Sequence, residues 1–351
     1  MIRKSLALSI ALVISLLGTA LSSGAQTRTA TAAKTASAAT SSPLNLLPQS
    51  DFVGFVNVKR LINEAAPKAL GGDAARLAQF NADIDKFKTQ TGIDARSFES
   101  LALGMRYQHP SAGITTTDMV VVANGTFNAG AFVAAGRLAA QGKYQEEKYK
   151  GSTIYIFNLQ ENVKMLGLFN MRVNQLAVTT LNANTLVLGD LQGVRATLDA
   201  KGSQARVNND LIQLATRTPN AFIGFGANVP PSLTATADFG NTEITKTISA
   251  IRQAYGAIGT TADGFEMLTI ARTQKPDEAQ NLSDTLSGLK QLGGMFAAQL
   301  PGDKAKLAQA ALDNLQINHE GNETAIRLEL KQADINTLMQ TLQPKSSGTS
   351  N

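Results

Sequence analysis

The stretch that most constrains the fold lies near the middle of the chain, at residues 175–202 (QLAVTTLNANTLVLGDLQGVRATLDAKG). Apolar residues alternate on both sides of positions 182–184, which is typical of two strands joined by a tight turn. Asp190 can cap the helix that follows, and an apolar stripe with the spacing i, i+3 and i+7 begins at Leu191. Gly202 can end that helix. The stretch therefore predicts a β-hairpin that leads directly into an amphipathic helix.

Similar strand and helix patterns lie on both sides of this stretch. Each half of the chain has the order strand, helix, strand, helix, Gly-X hairpin and helix. We interpret the protein as an α+β fold made of two similar halves, at residues 44–203 and 204–343, in which mostly antiparallel sheets and their hairpins pack against helices. The shared order favours an internal duplication, although α+β proteins also repeat such elements by chance.

In the first half, residues 51–58 (DFVGFVNV) are apolar at odd and even positions, as in a strand buried on both faces. A helix follows, because an apolar stripe at helical spacing runs from Leu77 to Phe87 before Gly92. Two further strands are predicted at 98–107 and 119–126, with His109-Pro110 in the loop between them. A helix of small residues is predicted at 127–141.

In the second half, the patterns predict a short helix at 210–216 and a strand at 221–229 that resembles residues 51–58. A helix at 244–256, a strand at 264–272 and a long helix that begins at Pro276 are expected next, the long helix with Leu282, Leu286, Leu289, Leu292 and Phe296 along one face. Another helix is marked by Leu307, Ala311 and Leu315. A final helix is predicted at 335–342.

Two Gly-X pairs predict hairpins with two-residue type II′ turns. A turn at Gly151-Ser152 would place Tyr149 opposite Ile154 and Lys148 opposite Tyr155. It would also place Tyr155 and Phe157 on the face opposite Ile154 and Ile156.

The second hairpin turns at Gly321-Asn322. Its register would pair Leu315 with Leu328, Ile317 with Ile326, and His319 with Thr324. Arg327 and Glu329 would then lie on the solvent face of a half-buried strand.

The N-terminus has the features of a secretory signal peptide at residues 1–25. Arg3 and Lys4 precede an apolar run from Leu6 to Leu17, and small residues end at Ala25. We predict cleavage after Ala25 and a periplasmic or secreted mature chain. The alternative is an uncleaved anchor, which the short apolar run disfavours because a span needs about 20 residues.

Two segments have too few apolar residues to order themselves. Residues 26–43 are almost entirely Thr, Ala and Ser and predict a disordered linker, and residues 344–351 predict a disordered tail. The sequence has no Cys, so an exported chain of this composition has no disulfide and depends on its core.

The composition does not indicate a particular catalytic or binding function. Removal of Arg3 and Lys4 lowers the formal net charge from +5 to +3, which is too small to favour nucleic acid as a partner. No later segment has the length and hydropathy of a transmembrane span. We assign no catalytic, cofactor-binding or metal-binding residue and no cofactor. A carboxylate-dependent hydrolase stays open, because 27 acidic residues allow many pairings.

Three local patterns contain residue types that occur in functional sites. His109 and His319 lie far apart and are interpreted as surface or edge residues. Gly224-Phe225-Gly226 lacks the third glycine of a dinucleotide fingerprint and is followed by prolines rather than a helix. Glu146-Glu147 is interpreted as part of a solvated hairpin.

Several segments resemble a known group of proteins: DFVGFVNVKRL, TGID at 91–94, YKGSTIY at 149–155, NTLVLGDLQGVRATLDAKG at 184–202 and INHEGNETAIRLEL at 317–330. The chain resembles a group of uncharacterised exported bacterial proteins with a domain of unknown function. The resemblance covers most of residues 44–343 and implies a bacterial envelope protein. It brings no catalytic residue and no ligand.

Three functions follow as hypotheses. The first is a non-enzymatic binding or structural module of the envelope, with an envelope protein or a cell-wall component as partner. The second is a carrier of an apolar ligand held between the sheet and the helix at Pro276. The third is the carboxylate-dependent hydrolase.

Overall fold

The computed structural model describes residues 42–111, 114–165, 169–203, 205–234 and 241–335. Twelve strands form one open sheet in which every pair of neighbours is antiparallel, and helices pack on both faces. The α+β class is therefore confirmed. The predicted signal peptide at 1–25 and the tail at 344–351 lie outside the described residues, as does nearly all of the linker at 26–43.

The strands are numbered in chain order. They are β1 (Phe52–Asn57), β2 (Phe98–Ser111), β3 (Ile114–Gly125), β4 (Tyr144–Tyr149), β5 (Ser152–Met165), β6 (Phe169–Asn182), β7 (Thr185–Gly189), β8 (Ala221–Asn228), β9 (Gln253–Thr260), β10 (Gly264–Arg272), β11 (Leu315–Glu320) and β12 (Glu323–Lys331).

The first helix, α1, is continuous over a turn at Val58–Arg60, a π-helical segment at Leu61–Ala65 and an α-helical segment at Ala66–Leu70. The others are α2 (Ala74–Thr91), α3 (Ala129–Ala140), α4 (Leu191–Ala200), α5 (Asn209–Ala215), α6 (Pro231–Thr234), α7 (Thr242–Ser249), α8 (Pro276–Ala297) and α9 (Asp303–Asp313). Short 3₁₀ helices lie at Pro43–Leu46 and Ala95–Ser97.

The two halves of the chain meet at the centre of the sheet. The strand order is β11-β12-β10-β9-β8-β1-β2-β3-β7-β6-β5-β4, so β1 pairs with β8 and the edges are β11 and β4. Residues before and after position 204 therefore belong to one continuous sheet.

The two faces of the sheet carry two hydrophobic cores. The first core lies under α1, α2 and α3, and the second lies under α4, α5 and the 3₁₀ helix at Pro43–Leu46. Alternation along β5 divides its side chains as predicted, because Tyr155 and Phe157 contact the first core and Ile154 and Ile156 the second.

The equivalence predicted for the two Gly-X turns is wrong. If β1 and β8 are each counted as the first strand on their side of the centre, the β11–β12 hairpin occupies the fourth and fifth places on its side. The fourth and fifth places on the other side belong to β7 and β6, and the β4–β5 hairpin lies farther out. The internal duplication is not confirmed by the structure.

The register predicted for the last hairpin is confirmed. Leu315 pairs with Leu328, Ile317 with Ile326, and His319 with Thr324. Gly321 has a positive φ of 55°, as the first turn position of type II′ requires. The expected solvent face is wrong at Glu329, which is only 8% exposed.

The register predicted for the β4–β5 hairpin is wrong by two residues. Tyr149 pairs with Ser152, and Lys148 pairs with Thr153. Lys150 and Gly151 form the turn with φ of 44° and 77°, and positive φ at both central positions is the type I′ arrangement. The glycine therefore takes the second turn position rather than the first.

Two segments that were predicted as a helix end and as a loop are strands in the structure. Residues 253–256, predicted as the end of a helix, begin β9, and α7 ends at Ser249. The predicted loop around His109 is the outer part of the β2–β3 ladder, in which pairing continues to Ser111 and Ile114. In both places backbone pairing with a neighbouring strand overrides the local pattern.

Most predicted helices are confirmed within a few residues. Asp190 caps α4 through a hydrogen bond from Gly193 N to its Oδ1 at 2.6 Å, and Gly92 ends α2 with a φ of 73°. Leu315 belongs to β11 and not to the helix that precedes it. Residues 332–335 are helical, and of the final helix predicted at 335–342 only residue 335 lies within the described residues.

Candidate functional site

Two surface features of the described residues are candidates for a functional site. One is a cleft of about 300 Å³ on the face of the sheet that carries the second core. The other is a row of exposed apolar side chains on α8. Neither was assigned from the sequence.

The cleft lies between the outer part of the β2–β3 hairpin and α4. Strand β2 contributes Gly104, Arg106 and Gln108, and β3 contributes Asp118. The three β2 residues are spaced by two and therefore share one face of the strand. The two-residue spacing is visible in the sequence. It was not recognised as one strand face, because residues 108–118 were interpreted as a loop.

One wall of the cleft is held by ion pairs that join α4 to the β4–β5 hairpin. Arg195 on α4 donates two hydrogen bonds to the Glu147 carboxylate, at 2.8 and 2.5 Å. These bonds lower the pKa of Glu147 below its usual range. The guanidinium of Arg195 also lies 5.7 Å from the centre of the Tyr149 ring.

Asp199, one turn further along α4, completes this wall. Its carboxylate accepts hydrogen bonds from Lys150 Nζ at 2.6 Å and from the Tyr149 hydroxyl at 3.0 Å. The Lys150 bond is the main reason why the pKa of Asp199 is lowered, and the bond to Asp199 raises the pKa of Tyr149. The charges on this wall are therefore paired with one another.

The opposite wall carries charges that are not paired with each other. Arg106 and Asp118 lie directly opposite one another in the β2–β3 ladder. Asp118 Oδ2 accepts a hydrogen bond from Gln108 Nε2 at 2.7 Å. Within the part of the chain that the structure describes, the Arg106 guanidinium has no hydrogen-bond or ion-pair partner.

The apolar row on α8 consists of Leu289, Leu292, Met295 and Phe296, with Leu300 just beyond the helix. Phe296 is 68% exposed and Met295 is 58% exposed. The predicted core stripe is thus correct for Leu282, which is buried, and wrong for the second half of the helix.

The row is exposed because small residues take the inward positions of α8. Ser283 and Ala297 are buried, and Gly293 faces the side chain of Leu312 on α9. Small side chains allow α9 to approach, and the larger residues beside them are turned outward. At its first half the helix contacts the sheet directly, where the Thr324 hydroxyl donates to Ala279 O at 2.8 Å.

A second charged cluster, around Tyr255, is structural. Glu323 accepts hydrogen bonds from Arg272 Nη2 at 2.6 Å and from the Tyr255 hydroxyl at 3.0 Å. Arg217 donates to the same hydroxyl at 2.6 Å, and both guanidinium groups lie against the Tyr255 ring. Tyr255 is only 2% exposed, so the cluster closes the second core at β9, β10 and β12.

The other candidate residues lie apart in the structure. Strands β12, β10, β9, β8 and β1 lie between the strands that contain His319 and His109. Glu146 pairs with Arg137, whereas Glu147 pairs with Arg195 on the other face of the sheet. In the described residues, no three His, Asp or Glu side chains come close enough to hold a metal ion.

The Gly224-Phe225-Gly226 sequence has a packing role. A side chain at Gly224 would overlap Ala215 O, and one at Gly226 would lie 2.8 Å from Leu211 O. The two glycines therefore allow α5 to lie directly on β8.

Across the described ranges, which exclude residues 1–41 and 336–351, no helix has the length and apolar character that crossing a membrane requires.

No protein-family model matches the sequence, and no curated protein matches it significantly. Among solved structures, crystal form III of TP0453 is similar with a TM-score of 0.45 at 10% identity, over 86% of this chain and 99% of that chain. Crystal form I of TP0453 has a TM-score of 0.40 at 10% identity, over 87% and 99%. These values describe a distant likeness in fold that carries no information on function.

Proposed function

We propose that the chain is an exported, non-enzymatic binding module of the bacterial envelope that docks a protein partner through the apolar row on α8. The observation that carries the proposal is the exposure of Leu289, Leu292, Met295 and Phe296 side by side. Contiguous apolar surface of this kind marks interaction sites on soluble proteins. The export itself rests on the predicted signal peptide at residues 1–25.

The spacing of the row fits a helix that inserts into a groove. Leu289, Leu292 and Phe296 have the spacing i, i+3 and i+7, which is the anchor pattern of helix-in-groove recognition. Large apolar and aromatic anchors supply most of the binding free energy in such interfaces. The partner is therefore expected to present an apolar groove.

The charges around the row favour a protein over a lipid surface. Helices that lie on membranes carry Lys and Arg on their polar face. Between Asp284 and Asp303 the only charged residue is Lys290. Its ammonium donates a hydrogen bond to Leu315 O at 2.6 Å and is thus used within the fold.

Site-specific photo-crosslinking in the host tests this proposal. A photoreactive phenylalanine at position 295 should give one discrete crosslinked product, and Phe296→Glu in the same chain should remove it. Position 138 is the matched control, because Leu138 is 81% exposed but stands alone on α3. The same product from position 138, or none from position 295, would contradict the proposal. Sedimentation of the mature chain with lipid vesicles would assign the row to a membrane and overturn a protein partner.

We also propose that the two halves arose by duplication, with β6–β7 as the counterpart of β11–β12. The proposal is supported by the sheet order, in which two strands and then a hairpin follow outward on each side of the β1–β8 pair. The β4–β5 hairpin would then be an addition to the first half.

A further inference from the structure

We infer that the cleft beside α4 binds a small zwitterion, an amino acid or a dipeptide, with its carboxylate at Arg106 and its ammonium group at Asp118. This ligand site is separate from the apolar row on α8. The two residues lie opposite one another on β2 and β3, and both line the cleft.

Arg106 is suited to receive the carboxylate. A guanidinium presents a planar fork of donors that matches a carboxylate in a bidentate arrangement. The other arginine that lines the cleft, Arg195, already forms that arrangement with Glu147. In the described part of the chain, Arg106 alone among the cleft residues offers a cation without a partner.

Asp118 is suited to receive the ammonium group. The Gln108 amide occupies its Oδ2 and orients the carboxylate, and the described residues provide no donor to its Oδ1. An anion and a cation that face each other across a ladder, without contact between them, match the two charges of a zwitterion.

The charge balance of the cleft excludes ligands with a strong net charge. Arg195 and Asp199 are already paired with Glu147 and Lys150, so Arg106 and Asp118 are the lining charges left without an ion pair in the described residues. A dianion such as phosphate would be repelled by the Asp118 carboxylate, and a free cation would be repelled by the Arg106 guanidinium. A neutral ligand with separated charges meets neither repulsion.

The size of the cleft sets an upper limit on the ligand. A volume of about 300 Å³ is at the lower end of the range for small-molecule sites. The side-chain amides of Gln49 and Gln192 also line it, and amide groups can pair with a peptide bond. An amino acid or a dipeptide satisfies both conditions.

Isothermal titration calorimetry of the mature chain tests the inference. The probes are alanine, lysine, glutamate, phenylalanine and alanylalanine at up to about 10 mM, which detects millimolar binding. Acetate and methylammonium serve as single-charge controls. At least one zwitterion should bind, and each single-charge control should bind about tenfold more weakly or not at all, because one charge-assisted interaction is lost.

The variants identify the two charges. Arg106→Gln and Asp118→Asn should each weaken the best zwitterion about tenfold or more. Arg106→Lys keeps the charge without the fork and should give an intermediate loss, provided that its melting temperature is unchanged. Arg137→Gln, on the other face of the sheet, should leave binding unaltered. Absence of binding by the whole panel, acetate binding equal to that of the zwitterions, or unchanged binding in both cleft variants would each overturn the inference.

Discussion

At the scale of single residues, Glu323 shows burial and hydrogen bonding acting in opposite directions on one carboxyl. Burial by itself raises the pKa of its carboxyl, but hydrogen bonds from Arg272 and Tyr255 outweigh this effect and hold the pKa below its ordinary value of 4.5. Because the folded protein prefers the ionised form, the group stabilises the fold above its unfolded pKa. That stabilisation is lost as the pH falls through the folded pKa.

Replacement of this carboxylate should therefore have a pH-dependent cost. Glu323→Gln is expected to lower the free energy of unfolding by about 1–3 kcal/mol at pH 7, because two guanidinium groups and a buried hydroxyl lose a charged partner. The difference from the wild type should begin to shrink below pH 4.5, where the carboxyl of the unfolded chain becomes protonated, and should be lost as the pH falls through the lower folded pKa. Urea denaturation at several pH values measures both effects. Glu320→Gln, at the exposed end of β11, is the control and should change stability by less than about 0.5 kcal/mol. Equal losses at pH 7 and pH 3 would contradict this account.

At the scale of elements, glycines show how the same residue type serves different ends. Gly224 is required because α5 lies against β8, where a side chain would overlap Ala215 O. Gly288 lies on the exposed side of α8, and a methyl group there would meet nothing within 4 Å. In a helix, glycine is less favourable than alanine by about 1 kcal/mol.

The same substitution should consequently have opposite effects at these two positions. Gly288→Ala is expected to raise the free energy of unfolding by about 0.5–1 kcal/mol through helix propensity alone. Gly224→Ala is expected to lower it by about 1–3 kcal/mol, because α5 must move away from the sheet. Chemical denaturation of both variants measures the two signs. A loss of stability at position 288, or none at position 224, would show that the assigned packing is wrong.

At the scale of the whole molecule, the central β1–β8 pair makes the two halves depend on each other. The pair joins Phe52 to Ala227 and Val56 to Ile223. Helix α5, from the second half, also packs on the second core with Val53 and Leu44 from the first. Separation of the halves would open two strand edges and expose apolar surface.

Cleavage between the halves should therefore leave the fold intact. A protease site inserted after Ser203 is expected to give two pieces that elute together from a gel-filtration column and unfold in one transition. The uncut protein with the same insertion is the control. Pieces that separate without denaturant would mean that each half is stable alone and that the β1–β8 pairing contributes little.

The sequence by itself determined the features that depend on neighbours along the chain. The cap at Asp190, the stop at Gly92 and the Gly321 turn were predictable, because their hydrogen bonds and φ angles involve residues only a few positions apart. The two faces of β5 followed from its alternation. None of these features required knowledge of the sheet.

Only the tertiary structure decided which strands meet and which faces are covered. Residues 253–260 become β9 because β8 and β10 satisfy their backbone groups, whatever their local preference. The apolar row on α8 is exposed because Gly293 faces α9 and Ala297 faces the core. Arg106 and Asp118 face each other because the β2–β3 ladder continues into the predicted loop. Contacts between distant residues carry these choices, and a pattern read along the chain contains no information on them.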